Sequence, residues 1–418
     1  MMSGGADGVR IPANLTTKDA RLFFVTAFVR SAAAGLTGVT AAIVLGERGL
    51  TVAQSGYVIG AGLTGTAVAT AIVTAAADRL GRRRTLAVLA VLSACGYAGL
   101  ATVERFPYLA AVAFVGMVNA MGRDRGAAAT IDQAALPAIT SAERRTWTFA
   151  WYNVVLDAGQ TIGSAAAALP LLLGTFGIAR ASGHAVTFAA CAAGLALSAV
   201  AYAGVSARVE VVRGGLTGGR VDAATRAIAS RLVLLFGLDS LGSGFLNSAL
   251  LAFWFFERYH LTEAHVAALF AAARLLNALS HLLAAWLARR IGLVHTMVLT
   301  HLPSSVFLML VPLAPGAAGA AALFLAREAL VEMDVPTRQS YVMAIVAPEQ
   351  RTFVSGVTNV TRLAGWAVGP IVAGALMQGI ASSTPLLVGG GLKIAYDVLL
   401  YVQFRRLRPP EETDTPEP

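Results

Sequence analysis

Apolar runs of 18 or more residues recur along this chain from Leu22 to Phe404, and no other feature narrows the possible folds so far. A run of that length has no polar face to offer water, and it can cross the hydrocarbon core of a bilayer as a helix. Within a bilayer each segment must satisfy its own backbone N–H and C=O groups, which favours helices for runs of this kind. Composition agrees: 56% of the 418 residues are hydrophobic and only 13% are charged, with mean hydropathy +0.68. A soluble domain carries about 25% charged residues. A soluble enzyme and a nucleic-acid-binding domain are therefore excluded, despite the net charge of +9. The expectation is an all-α, polytopic membrane protein.

Turn residues and charges divide the chain into twelve apolar segments. They run approximately over 20–45, 53–77, 85–103, 108–136, 147–172, 183–204, 231–256, 263–287, 294–314, 317–345, 352–377 and 384–404. The first run has no small-residue cleavage site behind it and reads as a retained helix, not a signal peptide. If both ends are cytoplasmic, twenty Lys and Arg fall in inside loops, and only Arg48, Arg105, Arg180 and Arg258 fall outside. That asymmetry is the one that orients membrane proteins. The polar interval 208–230, with Gly214, Gly215, Gly218 and Gly219, reads as a cytoplasmic linker between six-helix units at 1–207 and 231–408. The tail 409–418, rich in Glu, Thr and Pro, reads as disordered. Thirty Arg against two Lys suggest a GC-rich bacterial genome, hence a bacterial cytoplasmic membrane. Cys95 and Cys191 both lie in apolar runs, so neither a disulfide framework nor a metal site is expected.

The two units resemble each other. Gln133, Glu143, Arg144, Arg145, Thr146, Asn153, Gly159 and Gly163 are followed 206 residues later by Gln339, Glu349, Gln350, Arg351, Thr352, Asn359, Gly365 and Gly369. Glu47-Arg48 recurs as Glu257-Arg258, and Arg79, Gly81 and Thr85 recur as Arg290, Gly292 and Thr296. Duplicated units inserted the same way characterise transporters that rock two halves around a midplane site.

Between segments 2 and 3, Asp78-Arg79-Leu80-Gly81-Arg82-Arg83-Arg84 resembles the signature loop of the major facilitator superfamily. With twelve segments and a central linker, the resemblance covers essentially the whole chain. One departure stands out: Thr74 occupies the place where that loop usually has a Gly. The second copy, Arg289-Arg290-Ile291-Gly292, lacks the acid, as is common in that superfamily. The resemblance implies two pseudo-symmetric six-helix bundles, secondary active transport by alternating access, and a cavity lined by segments 1, 4, 7 and 10. Segments 2, 5, 8 and 11 would join the halves. Asp78 would contact the start of segment 11 when the inner gate is closed, with Arg79, Gly81, Arg82 and Arg83 completing the gating loop. The small residues Gly159, Gly163, Ser164, Gly365, Gly369 and Gly374 would permit close helix approach.

Sixteen charges lie at membrane depth. The cations are Arg30, Arg123, Arg125, Arg274, Arg327, Arg338, Arg362 and Lys393; the acids are Asp124, Asp132, Asp157, Asp239, Glu328, Glu332, Asp334 and Asp397. Each costs about 2.5–3.5 kcal/mol at a helix centre, so they must face one another or water. Arg30 and Asp239 hold corresponding places, each followed by Ser, and are expected to pair across the cavity. Asp157 is expected opposite Arg274, Lys393 with Asp397, and Asp334 with Arg338. Glu328 and Glu332, one turn apart, are candidate proton carriers, because like charges so placed resist joint ionisation. The expected substrate and proton pathway comprises Arg30, Arg123, Asp124, Asp157, Asp239, Arg274, Glu328, Glu332 and Arg362. Trp151, Tyr152, Trp254, Tyr341 and Trp366 are candidate cavity aromatics.

No His-Glu-x-x-His, Gly-x-Ser-x-Gly or phosphate-binding Gly-x-x-x-x-Gly-Lys-Ser/Thr pattern occurs, so neither catalysis nor ATP drive is expected. A proton gradient, with no cofactor, is the expected driving force. The function expected from the resemblance is proton-coupled efflux, by antiport, of drug-like or amphiphilic compounds. The alternative is proton-coupled uptake of a small organic anion. The expected partners are a small-molecule substrate and the lipid bilayer, not nucleic acid, with the monomer as the functional unit.

Overall fold

A computed structural model describes residues 18–119, 124–210, 222–246, 248–261, 263–407, 409 and 412. Among these residues there are sixteen α-helices and no strand. The first half contains α1 (Lys18–Glu47), α2 (Val52–Leu80), α3 (Arg82–Thr102), α4 (Phe106–Val115), α5 (Ala127–Ala135), α6 (Arg145–Ala166), α7 (Leu169–Gly174) and α8 (Arg180–Ala203). The second contains α9 (Ala223–Phe245), α10 (Ser248–Tyr259), α11 (Glu263–Ile291), α12 (Leu293–Leu310), α13 (Ala317–Val331), α14 (Asp334–Ile345), α15 (Arg351–Gly379) and α16 (Thr384–Phe404). Ten helical stretches are long and apolar enough to cross a membrane. Segments 4 and 10, as the pairs α4/α5 and α13/α14, complete the expected twelve.

Segments 4, 5, 7 and 10 are each broken rather than continuous, and in segments 4 and 10 the causes are local. After α4, Gly116 is followed by Met117 with φ +52°, a left-handed turn that ends the helix. In the first turn of α14, Pro336 has no N–H to donate to the carbonyl of Glu332, four residues earlier, so the helix cannot continue from α13 through that bond. Val335 N bonds that carbonyl instead, at 3.2 Å. Irregular backbone at membrane depth is tolerated where it lines a cavity.

The duplicated glycines sit where helices touch most closely. A Cβ on Gly159 would lie 2.6 Å from the carbonyl oxygen of Phe28, and one on Gly163 would strike the carbonyl of Ala32, which locks α6 onto α1. In the second half, a Cβ on Gly369 would lie 2.5 Å from Gly244 Cα, locking α15 onto α9. Gly81 and Gly292 have φ of +95° and +83°, so each turn into the following helix needs a residue without a Cβ.

The cores show how the halves are joined. One buried cluster mixes residues of both halves, including Phe23, Phe149 and Tyr202 with Phe236, Tyr341 and Phe404. It lies at the end of the bundle that carries the linker. Toward the far end each half has its own core, around Leu36, Tyr97 and Phe188 in one and Trp254, Phe255 and Phe324 in the other. The halves therefore meet at the linker end and part toward the other.

Two features fall at the expected boundaries. Helix α9 begins at Ala223, inside the interval read as linker, because Asp222 caps it by accepting from Thr225 N at 2.6 Å. That backbone bond, with a further one from the Gln350 amide, holds the Asp222 carboxyl below the ordinary carboxylate range. In the tail read as disordered, the Glu412 carboxylate accepts from Leu293 N at 2.7 Å and caps α12. Residues 410, 411 and 413–418 lie outside the described residues.

Candidate transport pathway and gate

At the linker end the signature loop meets the other half. Asp78 Oδ1 accepts from Thr352 Oγ1 at 2.8 Å and from Arg82 Nε at 2.8 Å, and Arg82 Nη2 donates to Thr352 Oγ1 at 3.0 Å. Thr352 is the second residue of α15, so Asp78 sits at the start of segment 11. Arg82 also reaches the carbonyls of Ala134 and Val209, while Arg83 donates to the carbonyl of Ala203 at 2.9 Å. Arg79 is exposed. The substitution at Thr74 is matched by its neighbour: a Cβ on Gly356 of α15 would collide with the Thr74 side chain. The small residue has moved to the other helix and the close approach is kept.

Residues that recur at the 206-residue offset meet across the interface. Asn153 Nδ2 donates to Gln339 Oε1 at 2.7 Å, and Ser355 Oγ donates to Gln133 Oε1 at 3.1 Å. Asn359 Nδ2 donates to Thr130 Oγ1 at 3.0 Å, and Thr146 Oγ1 donates to Ser340 Oγ at 2.8 Å. Both copies thus supply residues to the contact, though the bonds themselves are not repeats of one another, since Ser355, Thr130 and Ser340 correspond to Phe149, Pro336 and Ala134 in the other copy. The linker end is closed.

The buried charges pair differently from the sequence expectation. Arg30 does not meet Asp239. Its Nη2 lies 2.5 Å from Asp132 and its Nε 3.0 Å from Asp124, and it also bonds the Tyr202 hydroxyl. Tyr152 donates to the same Asp132 at 2.8 Å. Asp239 instead lies 2.9 Å from Lys393 Nζ and 3.5 Å from Arg338 Nη1. The two groups hold corresponding places, as read, but each turns to partners in its own half, Arg30 to segment 4 and Asp239 to segments 10 and 12. Asp132 and Arg338 are themselves 206 positions apart, so the duplicated pair survives with its charges exchanged. Coulombic pairing is preserved by that exchange without any contact between halves.

Lys393 and Asp397 are not a private pair either. Lys393 reaches Asp239, and Asp397 bonds His301 Nδ1 at 2.9 Å, because the two side chains face different neighbours of α16. Asp334 and Arg338 do pair. Helix α6 packs on α11 as expected, but Asp157 bonds His281 Nε2 at 3.0 Å, two turns along the face from Arg274. Glu328 is engaged by Arg327 beside it and by Asn277 Nδ2 at 2.9 Å, so its charge is answered within the second half. Arg123 lies outside the described residues.

Between the halves lies a cavity of about 500 Å³. It runs from Arg338 and Lys393 in the middle of the bundle to Leu251 and Phe270 toward the far end, away from the closed linker end. Among the described residues six cations line it (Arg125, Arg274, Arg327, Arg338, Arg362, Lys393) against four acids (Asp239, Glu328, Glu332, Asp334). Trp366 carries two guanidinium groups at its ring, Arg125 at 4.8 Å and Arg362 at 5.1 Å from the centroid. Arg362 forms no ion pair among the described residues. Of the other aromatic candidates, Trp254 is packed in the far-end core and bonded to Ser383, and Tyr341 is bonded to the carbonyl of Leu407. Arg30, Asp124 and Asp157 lie off this cavity. Sequence reasoning passed over His301, whose only signal was a histidine in the middle of apolar segment 9.

The sequence pattern of the Major Facilitator Superfamily matches residues 23–331 and 232–418. A membrane protein of Saccharomyces cerevisiae, described as uncharacterized, is 24% identical over 93% of this chain and 94% of its own length. Among solved structures, the human organic anion transporter MFSD10 superposes with a TM-score of 0.73 at 17% identity, over 93% of this chain and 100% of its own. A bacterial homologue of the iron transporter ferroportin, in an outward-facing state, gives 0.73 at 14% over the same shares. The Escherichia coli fucose:proton symporter gives 0.68 at 12%, over 92% of this chain and 98% of its own. With its duplicated helices, closed linker end and charged central cavity, this chain belongs to the Major Facilitator Superfamily and is a multi-pass membrane transporter, not an enzyme.

Proposed function

We propose that the protein carries a small organic anion across the cytoplasmic membrane by alternating access, coupled to the proton gradient, with both termini in the cytoplasm. The excess of cations over acids around the cavity carries this reading, above all Arg362, stacked on Trp366 and in no ion pair among the described residues. A guanidinium is a planar fork that matches a carboxylate or phosphate, and it stacks on aromatic faces. An anion bearing a flat apolar group would satisfy Arg362 and lie along Trp366. The similarity to a human organic anion transporter is in keeping with this class. The closed linker end and the open far end correspond to an outward-facing state, the state named for the ferroportin homologue.

A second reading is efflux of amphiphilic, drug-like compounds, favoured by the apolar wall of Leu246, Leu251, Phe270 and Phe324. Exchange assays in proteoliposomes separate the two, using benzoate and phthalate beside the lipophilic cation tetraphenylphosphonium. Exchange of the carboxylates, reduced at least tenfold by Arg362→Ala, is the expected result. Transport of the cation, undiminished by Arg362→Ala, would overturn the anion reading.

A further inference from the structure

His301 of α12 stands where the cavity wall meets a closed set of charges. Its Nδ1 lies 2.9 and 3.0 Å from the two carboxylate oxygens of Asp397. Its Nε2 faces the other way, 3.5 Å from Lys393 Nζ and 4.0 Å from Asp239 Oδ1. Lys393 in turn donates to Asp239 at 2.9 Å and to Ser243 Oγ at 2.8 Å. His301, Asp239 and Lys393 all line the cavity, whereas Asp397 does not.

The roles of the two ring nitrogens follow from their partners. A carboxylate only accepts, so Nδ1 carries a hydrogen in either charge state of the ring. In the neutral ring Nε2 has a lone pair, and its nearest neighbour is an ammonium that only donates. We propose that Nε2 of His301 is a proton-binding site, and that a proton there competes with Lys393 for Asp239. The inference rests on the transport reading for its purpose, though not for its geometry.

The step balances simply. Nε2 takes one proton from a hydronium ion that reaches it from the cavity, leaving water; the ring becomes imidazolium, and the Nδ1–H bond to Asp397 is unchanged. Two cations then face each other at the His301–Lys393 contact, while the new N–H points toward Asp239. Lys393 loses its hold on Asp239, keeps Ser243, and turns its ammonium to the cavity. Other groups around this switch come from every neighbouring element. Asp334 and Arg338 stand on α14, with Arg338 holding the other oxygen of Asp239. Tyr396 packs its ring on His301 from α16 at 5.8 Å. Arg274 of α11, Arg327, Glu328 and Glu332 of α13, and Arg362 of α15 line the same cavity. Because an added cation favours an anion, proton and anion would each strengthen the other's binding, which is reciprocal by linkage.

The chain has only two lysines, Lys18 and Lys393, and this allows a test that needs no substrate. Lys18→Arg protein, labelled with 15N-lysine and held in nanodiscs, gives one side-chain ammonium signal. Between about pH 8 and pH 5, where histidine titrates, that signal should move in a single step. The step should vanish in His301→Gln, survive in His295→Gln, and shift its midpoint in Asp397→Asn. A Lys393 signal that ignores pH, or a step that persists in His301→Gln, would overturn the proposal. Should His301→Gln fail to fold, an unmoved midpoint in Asp397→Asn would do the same. An intact NMR step in a protein that exchanges no carboxylate would defeat the anion reading and leave the proton site standing.

Discussion

Arg30 illustrates how burial makes a single residue decisive. Its guanidinium holds Asp124 and Asp132 at once, and both tyrosines of that cluster point at the same charges. Removing one partner of such a set leaves the others charged and desolvated, at a typical cost of about 3–5 kcal/mol. Arg30→Ala is expected to destabilise the protein by about that much. Arg30 and Asp239 share no partner, so Arg30→Ala combined with Asp239→Ala should cost the sum of the two single losses. Asp239→Ala combined with Lys393→Ala should cost less than its sum, because that pair is in contact. Thermal unfolding of the six proteins checks both cycles. Coupling between Arg30 and Asp239 would contradict the placement of each in its own half.

At the scale of elements, the contact between α2 and α15 is set by which helix carries the small residue. Thr74 fits because Gly356 faces it. A methyl at Gly356 has no room, and overpacking of this kind costs about 1–3 kcal/mol. Gly356→Ala is therefore expected to loosen the linker end, and Thr74→Gly in the same chain should restore it. Gly374, with open space where its Cβ would be, serves as control: Gly374→Ala should change nothing. Spin-label distances between α2 and α15 measure the outcome. A Gly356→Ala protein with the native distance would show that the approach has slack. The broken segments belong to this scale as well. The Pro336 break was written in the sequence, four residues after Glu332, yet an apolar run hides it from any reading by hydropathy.

At the scale of the molecule, the proposed alternating access requires the closed linker end to open, so the contacts that close it would set the balance between two states. The charged bonds of Asp78 to Arg82 and Thr352 are central. Hydrogen bonds to a charged group contribute about 1.5–3 kcal/mol. Two states of similar free energy would shift roughly tenfold or more on losing that much. Asp78→Asn should therefore insert normally, because the arginines set topology, but should populate the linker-open state and transport slowly. Cysteine accessibility at the linker end reports the first effect and flux reports the second. Native accessibility and flux in Asp78→Asn would remove Asp78 from the gate.

The sequence by itself determined the number of crossings, the duplication and the place where the signature loop meets segment 11. Each of these rests on local quantities: apolar length, offset between repeats, and a charged turn whose Gly81 needs positive φ. It also placed Arg30 and Asp239 at equivalent positions. Only the tertiary structure decided who pairs with whom. A charge on a helix can turn to several neighbours, and spacing along one chain does not say which helix lies within the few ångströms over which pairing operates. Lys393 and Asp397 show this most plainly: one turn apart on α16, they reach different helices, and His301, isolated in its apolar segment, stands between their partners.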